Sequence, residues 1–291
     1  MRNGIVGAAL AMFLVGTLAG VSGLVAGYPL YGGQAVRYLV AAVVLLVITG
    51  ALGLRFVRMT PREILCLVGL TLLGLVIFNV CVIESTRDSG PTLVGTVLGT
   101  VPLALALAGG RPRPRLLAAA GVVVAGATLA TGLGSGTTTS LLWALGALVG
   151  EVAFSLLAIP LLPKLGAIRV SAYSTALAVP MLALIGLADE GTGMLRVPTT
   201  AEALGLAYMA LVITVGAFFL WYTSLPKLGP GRAGLFAGLI PVGAIVTGTV
   251  LGVAAPTAYD LLGAGLVITG ILLGLTAQRS GARAAVSPSE A

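Results

Sequence analysis

Residues 89–107, SGPTLVGTVLGTVPLALAL, and residues 228–246, LGPGRAGLFAGLIPVGAIV, share one skeleton: Gly-Pro, ten residues, and a second Pro. Gly90, Pro91 and Pro102 of the first stretch correspond to Gly229, Pro230 and Pro241 of the second. Pro suits the first turn of a helix, where its missing N–H is not needed. The second Pro falls inside the same helix, where it removes a backbone hydrogen bond, kinks the rod and frees a carbonyl. A similar helix follows each stretch, GVVVAG (121–126) and GLVITG (265–270), with a short insertion in the second half. The pentapeptide GTVLG (95–99 and 248–252) sits at unlike places in the two stretches and is coincidental. The ordered match of the rest reads as an internal repeat.

Composition says where such a repeat lives. Of 291 residues, 58% are hydrophobic and 9% charged, and mean hydropathy is +1.12. A water-soluble domain carries about a quarter of its residues charged, so this chain needs a bilayer. The 42 glycines favour closely packed transmembrane helices. The net charge of +7 does not signal nucleic acid, because the basic residues fall between apolar runs rather than in one patch. There is no histidine, and Cys66 and Cys81 lie too far apart along one segment to bridge within it. No metal and no cofactor are expected, and both cysteines read as packing. The N-terminal MRNGIVGAALAMFLVGTLAG has the charge-then-apolar order of a signal peptide. Further apolar spans follow it, so it reads as a retained first helix.

Apolar runs long enough to cross a bilayer fall at 4–26, 34–54, 64–83, 91–109, 115–133, 141–159, 170–188, 203–225, 231–252 and 258–277. An even number of crossings returns both termini to one side. That side receives Arg2, Arg55, Arg58, Arg62, Arg111, Arg113, Arg115, Lys164, Arg169, Lys227, Arg232, Arg279 and Arg283. The other side receives Arg37, Arg87 and Arg196. The bias predicts cytoplasmic termini in the plasma membrane. GLGSGTTTS (132–140) is read as a flexible join; no strand precedes its Gly-x-Gly-x-Gly and no Lys follows, which argues against a phosphate loop. The expected units are 1–133, a linker at 134–140, 141–277, and a cytoplasmic tail at 278–291. The predicted fold class is an all-α integral membrane protein, with ten transmembrane helices as two inverted five-helix repeats. Five spans per half force opposite insertion, the layout of secondary transporters with a midplane site.

Ten short spans in two fives resemble the EamA family of the drug/metabolite transporter superfamily. So do GGQAVRYLVAAVVLLV (32–47), WYTSLPKLGPGRAGLFAGLIPVGAIVTGTVLG (221–252) and the LLGAGLVITGILLG that follows. The resemblance covers residues 5–277. The chain departs from it in lacking the usual tryptophan of the first span and the usual Glu after the ninth. It implies a carrier of amino acids or other small metabolites, often an exporter.

One carboxylate stands out. LGALVGEVAFSLLAI (145–159) is apolar apart from Glu151 and Ser155. Glu151 shares a helix face with Ala144, Ala147, Ser155 and Ala158, while Leu145, Val149, Val152, Leu156 and Ile159 form a bulky stripe elsewhere. A charge at this depth costs about 2.5–3.5 kcal/mol on insertion scales, so it faces a cavity or a partner. ALVGEV also resembles the first helix of the small multidrug resistance proteins, which carry one essential membrane Glu. Glu151 is read as a proton- or cation-binding group, against a protonated Glu hydrogen-bonded between helices. Arg37 either binds a substrate carboxylate or snorkels and caps a neighbour. Glu84, with Asn79 one and a half turns earlier, falls beside Trp221 and Tyr222 when the halves are aligned, as a cavity-mouth residue or a solvated loop end. The candidate substrate- and ion-binding set is Glu151, Arg37, Asn79, Glu84, Ser155, Trp221 and Tyr222. Trp143, Trp221, Tyr28 and Tyr31 also fit an interfacial aromatic belt. Lys164 and Lys227, both in LPKLG, fit helix C-termini.

The expected activity is secondary transport, most simply export, of a small polar or amphipathic metabolite coupled to protons or another cation. The expected partners are that solute, the ion and the lipid bilayer, with a homodimer left open. The alternative is a lipid flippase or a non-transporting scaffold. An enzyme is not expected: there is no H-E-x-x-H, no G-x-S-x-G and no intramembrane Ser/Lys or paired-Asp arrangement. No Walker motif is present to support ATP drive.

Overall fold

The computed structural model describes residues 2–89, 91–108, 114–252 and 255–276. Gly90, Arg111, Arg113, Arg279, Arg283 and the tail from 277 onward lie outside the described residues. Among the described residues there is no strand. In chain order the helices are α1 (Arg2–Val25), α2 (Leu30–Ala51), α3 (Pro61–Ser89), α4 (Thr92–Ala108) and α5 (Pro114–Thr131). They continue as α6 (Thr138–Leu156), α7 (Leu162–Met194), α8 (Thr200–Leu228), α9 (Pro230–Val250) and α10 (Ala258–Thr276). Nine of these are long and apolar enough to cross a membrane, and α4 is shorter.

Local chemistry explains the helix ends and breaks. Thr60 and Glu63 form a capping box at the start of α3, and Thr199 and Glu202 form another at the start of α8. These four residues stand at the same sequence interval as Pro102 and Pro241. Both helices that carry the inner prolines are interrupted just before it: α4 at Gly99 and Thr100, α9 by a tighter turn over Phe236–Gly238. Such breaks are expected where Pro cannot donate to the preceding turn. Two wider, π-helical stretches lie in α3 (Leu72–Ile77) and α8 (Met209–Ala217).

The helices pair in a regular pattern. α5 packs on α10, α2 on α7 and α4 on α9, while α3 packs on α6 and α1 on α8. α2 also lies against α8, and α7 against α3. The start of α1 and the end of α10 lie at one end of the bundle: Gly4 sits against Lys227, and Gly274 against Leu235 and Ala119. The join between halves is held rather than loose. Helix α6 starts at Thr138, not 141, capped by the Thr137 hydroxyl, which also bonds Asp88. Ser89 Oγ bonds Ser140 Oγ at 2.8 Å, and Gly134 N donates to Thr96 Oγ1 at 3.2 Å. Most of 132–140 is exposed, as suits the expected join, while Gly134, Thr137 and Ser140 bond residues of α3 and α4.

The α5–α10 seam depends on glycine. A Cβ at Gly126 would lie 2.7 Å from the Gly263 carbonyl oxygen and 2.8 Å from Val267 N. A Cβ at Gly270 would lie 2.9 Å from both the Ala119 oxygen and Val123 N. Here backbone meets backbone, the small-residue contact that drives helix association in lipid. Gly126→Val should therefore force α5 and α10 apart at a cost of about 1–3 kcal/mol or more, lowering the melting temperature and monodisperse yield in detergent. Gly121→Ala, where nothing lies within 4 Å, should leave both unchanged.

Candidate functional site

The centre of the bundle is organised around two adjacent residues of α2. Arg37, two turns into the helix, is 6% exposed. Its Nε donates to Thr214 Oγ1 at 2.8 Å and its Nη1 to Gln34 Oε1 at 3.3 Å. The guanidinium also lies 5.2 Å from the centroid of the Tyr38 ring. Among the described residues no carboxylate forms an ion pair with it. This answers neither sequence expectation alone: Arg37 is a buried cation held by neutral acceptors, not a snorkelling end residue.

The π-helical stretches supply those neighbours. Thr214 lies inside the α8 stretch, and its hydroxyl donates to Met209 O, five residues back, at 3.0 Å. Asn79 follows the α3 stretch. Its Nδ2 donates to Leu75 O within that stretch at 2.6 Å and to the Tyr38 hydroxyl at 3.0 Å. A π stretch leaves carbonyls out of register with the α ladder, and polar side chains take them up. Arg37 thus reads α8 and Tyr38 reads α3.

Glu151 stands in α6, partly buried. One turn on, the Phe154 ring packs on Phe218 and Tyr222 of α8, with centroids 4.8 and 5.0 Å away. Tyr222 lies within coulombic reach of both Glu151 and Tyr38. No described side chain hydrogen-bonds Glu151. Four further polar atoms are buried without a partner: Ser155 Oγ, Ser171 Oγ, Trp221 Nε1 and the Tyr222 hydroxyl. Ser155 lies one helical turn from Glu151 on α6, and Trp221 and Tyr222 lie on α8, whose Phe218 and Tyr222 pack on Phe154.

The other candidates distribute differently. Glu84 sits away from Glu151, accepting from the Tyr31 hydroxyl at 2.6 Å and pairing with Arg87 at 3.0 Å. It is a junction residue between α2 and α3, not a solvated loop end. Trp221, Tyr28 and Tyr31 are 2%, 5% and 2% exposed, so they do not form a lipid-facing belt; Trp143, 38% exposed, remains compatible with one. Lys164 pairs with Glu63 across helices at 2.7 Å rather than finishing a helix, whereas Lys227 does lie in the last turn of its helix. Beyond the spans, the Arg196 guanidinium is held above its usual range by its bond to Glu202. Cys66 and Cys81 are free thiols, and no described cluster of His, Cys, Asp or Glu could hold a metal.

Tyr38, Thr214, Phe154 and Phe218 were not singled out in the sequence. Tyr38 directly follows Arg37, which is a usable signal. Thr214 sits in an unbroken apolar run, LVITVGAFF, and nothing in that run announces a π stretch.

With this geometry in place, the comparisons become interpretable. The model of the EamA-like transporter family matches residues 135–276, a stretch that contains Glu151, Thr214, Trp221 and Tyr222. The chain is 26% identical over 257 residues to the uncharacterized transporter YetK of Bacillus subtilis (strain 168), covering 84% of this chain and 78% of that protein. Over residues 135–276 the chain is similar to the EamA-like transporter family. Its long apolar helices are those of a multi-pass membrane protein, and the proteins it resembles are transporters. A protein of known crystal structure has the same fold, with a TM-score of 0.82 at 19% identity, over 95% of this carrier and 98% of that chain.

In this EamA-like carrier Thr214→Val should leave the buried Arg37 Nε unpaired and cost about 1–3 kcal/mol, read as a lower melting temperature of the purified protein. Thr214→Ser, which keeps the acceptor, should melt near the unsubstituted protein.

Proposed function

We propose that this carrier is a proton-coupled secondary transporter that exports a small polar or amphipathic metabolite, an amino acid being the simplest fit. It would work from the plasma membrane with both termini cytoplasmic. The observation that carries the reading is Glu151: a carboxyl deep in a span, without a partner, beside the aromatic group of Phe154, Phe218 and Tyr222. Taking a carboxyl out of water penalises its charged form, so proton binding and release at such a site are linked to what occupies the space around it. Arg37, Asn79, Ser155, Trp221 and Tyr222 complete the proposed solute path, with Glu84 at its mouth.

The proposed architecture is ten transmembrane helices in two inverted units, 1–133 and 141–277. Four features support it. The capping boxes of α3 and α8 fall at equivalent places, as do the π stretches of the same two helices. The pairs α2–α7, α4–α9 and α5–α10 join helices with the same rank in each half, and α1–α8 mirrors α6–α3. In the α5–α10 seam, Gly126 meets Gly263 and Val267 while Gly270 meets Ala119 and Val123, the exchange expected across a two-fold axis. The family match at 135–276 spans one such unit.

Two experiments test this reading. Glu151→Gln keeps size and hydrogen bonding but cannot titrate. In vesicles carrying a pH gradient, solute accumulation should collapse for this variant while solute exchange without a gradient persists; wild-type uptake with an unchanged pH profile would reduce Glu151 to a structural role. Reporter fusions at both ends should show cytoplasmic termini, the outcome the basic-residue bias requires.

A further inference from the structure

At one end of the bundle the start of α2 is gripped from two sides. The Tyr31 hydroxyl donates to Glu84 Oε1 of α3 at 2.6 Å. Arg87 of α3 lies 5.5 Å from the Tyr31 ring centroid, and bonds Glu84 at 3.0 Å and Asp189 of α7 at 3.3 Å. From α7, Glu190 accepts from the backbone N–H groups of Tyr31 and Gly32, at 2.9 Å each. A carboxylate on free N–H groups at a helix start is well placed for both hydrogen bonding and the helix dipole. The grip therefore joins three helices through four charged side chains and one buried tyrosine.

In an inverted repeat the same machinery should recur at the opposite end, around the start of the described α7 segment that matches α2. The interval that relates Pro102 to Pro241 and Thr60 to Thr199 carries Tyr31 onto Val170, Glu84 onto Thr223 and Arg87 onto Pro226. The reverse step carries Asp189 onto Gly50 and Glu190 onto Ala51. None of these five residues is charged and none can replace the tyrosine bond. The opposite end does hold Glu63–Lys164 and the Arg169 bond to Arg55 O. The Glu63 place is filled in the other half by Glu202, which binds Arg196, so that contact has a counterpart at both ends. The grip on α2 has none at the five corresponding described residues.

We infer that Tyr31, Glu84, Arg87, Asp189 and Glu190 form a one-sided clasp that closes the carrier at this end and sets which side the central site faces at rest. The inference rests on the two-unit architecture proposed above. A two-fold symmetric scaffold has no preference between its two open forms; contacts present at one end only create one. The clasp end is the side opposite the chain termini, so the resting carrier opens toward the terminus side. Each contact is modest, since Arg87 and Asp189 are partly exposed and screened, which suits a closure that must break in every cycle.

The test uses full-length protein in oriented membrane vesicles, without substrate or ion gradient. Ser155→Cys, on a background with Cys66→Ala and Cys81→Ala, reports access to the centre through a charged, membrane-impermeant maleimide. Ser171→Cys serves as a second reporter should the first misfold. Tyr31→Phe, Arg87→Gln and Glu190→Gln should each speed labelling from the clasp side about five-fold, the effect of losing one typical hydrogen bond. Thr223→Val, at the mirror position of Glu84, should leave labelling from the terminus side unchanged. Unchanged labelling from the clasp side in all three clasp variants overturns the inference. So does an equal rise from both sides, which signals general loosening. Failure of the coupling proposal would appear instead in the flux of Glu151→Gln and would leave this labelling pattern intact.

Discussion

In hydrocarbon no water completes a broken backbone hydrogen bond, so each departure from α-helical geometry must find its partner inside the chain. This carrier departs from it at the π stretches of α3 and α8, at the proline-linked interruptions of α4 and α9, and at Gly166 near the start of α7. Polar side chains collect at the first two. Thr214 bonds Met209 O and Asn79 bonds Leu75 O, and each then has capacity left for a second partner. Those second partners are Arg37 and Tyr38. The irregular helices and the polar centre are one feature: wider turns bring the hydroxyl and amide to α2, and α2 in turn fixes the wider turns.

The same low dielectric explains how sparingly charge is used. Arg37 is buried against neutral oxygens only, an arrangement that avoids the mutual neutralisation of a buried ion pair and leaves the cation's field available to a passing group. Glu151 is the complementary case, an acid with no fixed donor. Charges that do pair, such as Glu63 with Lys164 and Glu202 with Arg196, sit at helix ends where water shares the desolvation cost.

Much of this was legible in the sequence because transmembrane helices write their length and flanks plainly. The apolar runs located the helices to within a few residues, except at the end of α3 and at both ends of α7. The depth of Arg37 and Glu151 was readable from their distance to the span ends. The aromatic residues were not: Trp221 and Tyr31 carry the composition of a belt, and only helix packing shows that α8 and α2 turn them inward. Lys164 looked like a helix-end cation because LPKLG occurs twice, yet Glu63 captures it from another helix. The polar run at 132–140 looked free because composition cannot show that Ser89, Asp88 and Thr96 await it. Thr214 was invisible because a π stretch has no signature in an unbroken apolar run. In each case the missing information is which neighbour a side chain meets, and only packing supplies it.

The proposed two-fold axis gives the helix pairs unequal parts in any rearrangement. Pairs that cross the axis can act as a hinge or as a gate, depending on how firmly they adhere. α5 and α10 meet closely through Gly126, Gly263 and Gly270, where backbone atoms lie alongside the side chains of Val123, Ala130 and Leu266. Dispersion over so close a contact falls steeply with separation, so this seam resists opening and suits a pivot. α2 and α7 also touch closely, with Gly32 facing Met194 and Gly186 facing Tyr31, but their contact ends in the hydrogen bonds of Glu190 to the start of α2. Such bonds can be exchanged for water at the bilayer surface at little net cost. Both seams therefore hold close backbone contacts, Gly32 against the Met194 oxygen in one and Gly126 against the Gly263 oxygen in the other, and the α2 start adds bonds that water can replace. The proposed clasp at Tyr31 lies six residues along α2 from Arg37, so its release would be felt at the solute path proposed around Arg37.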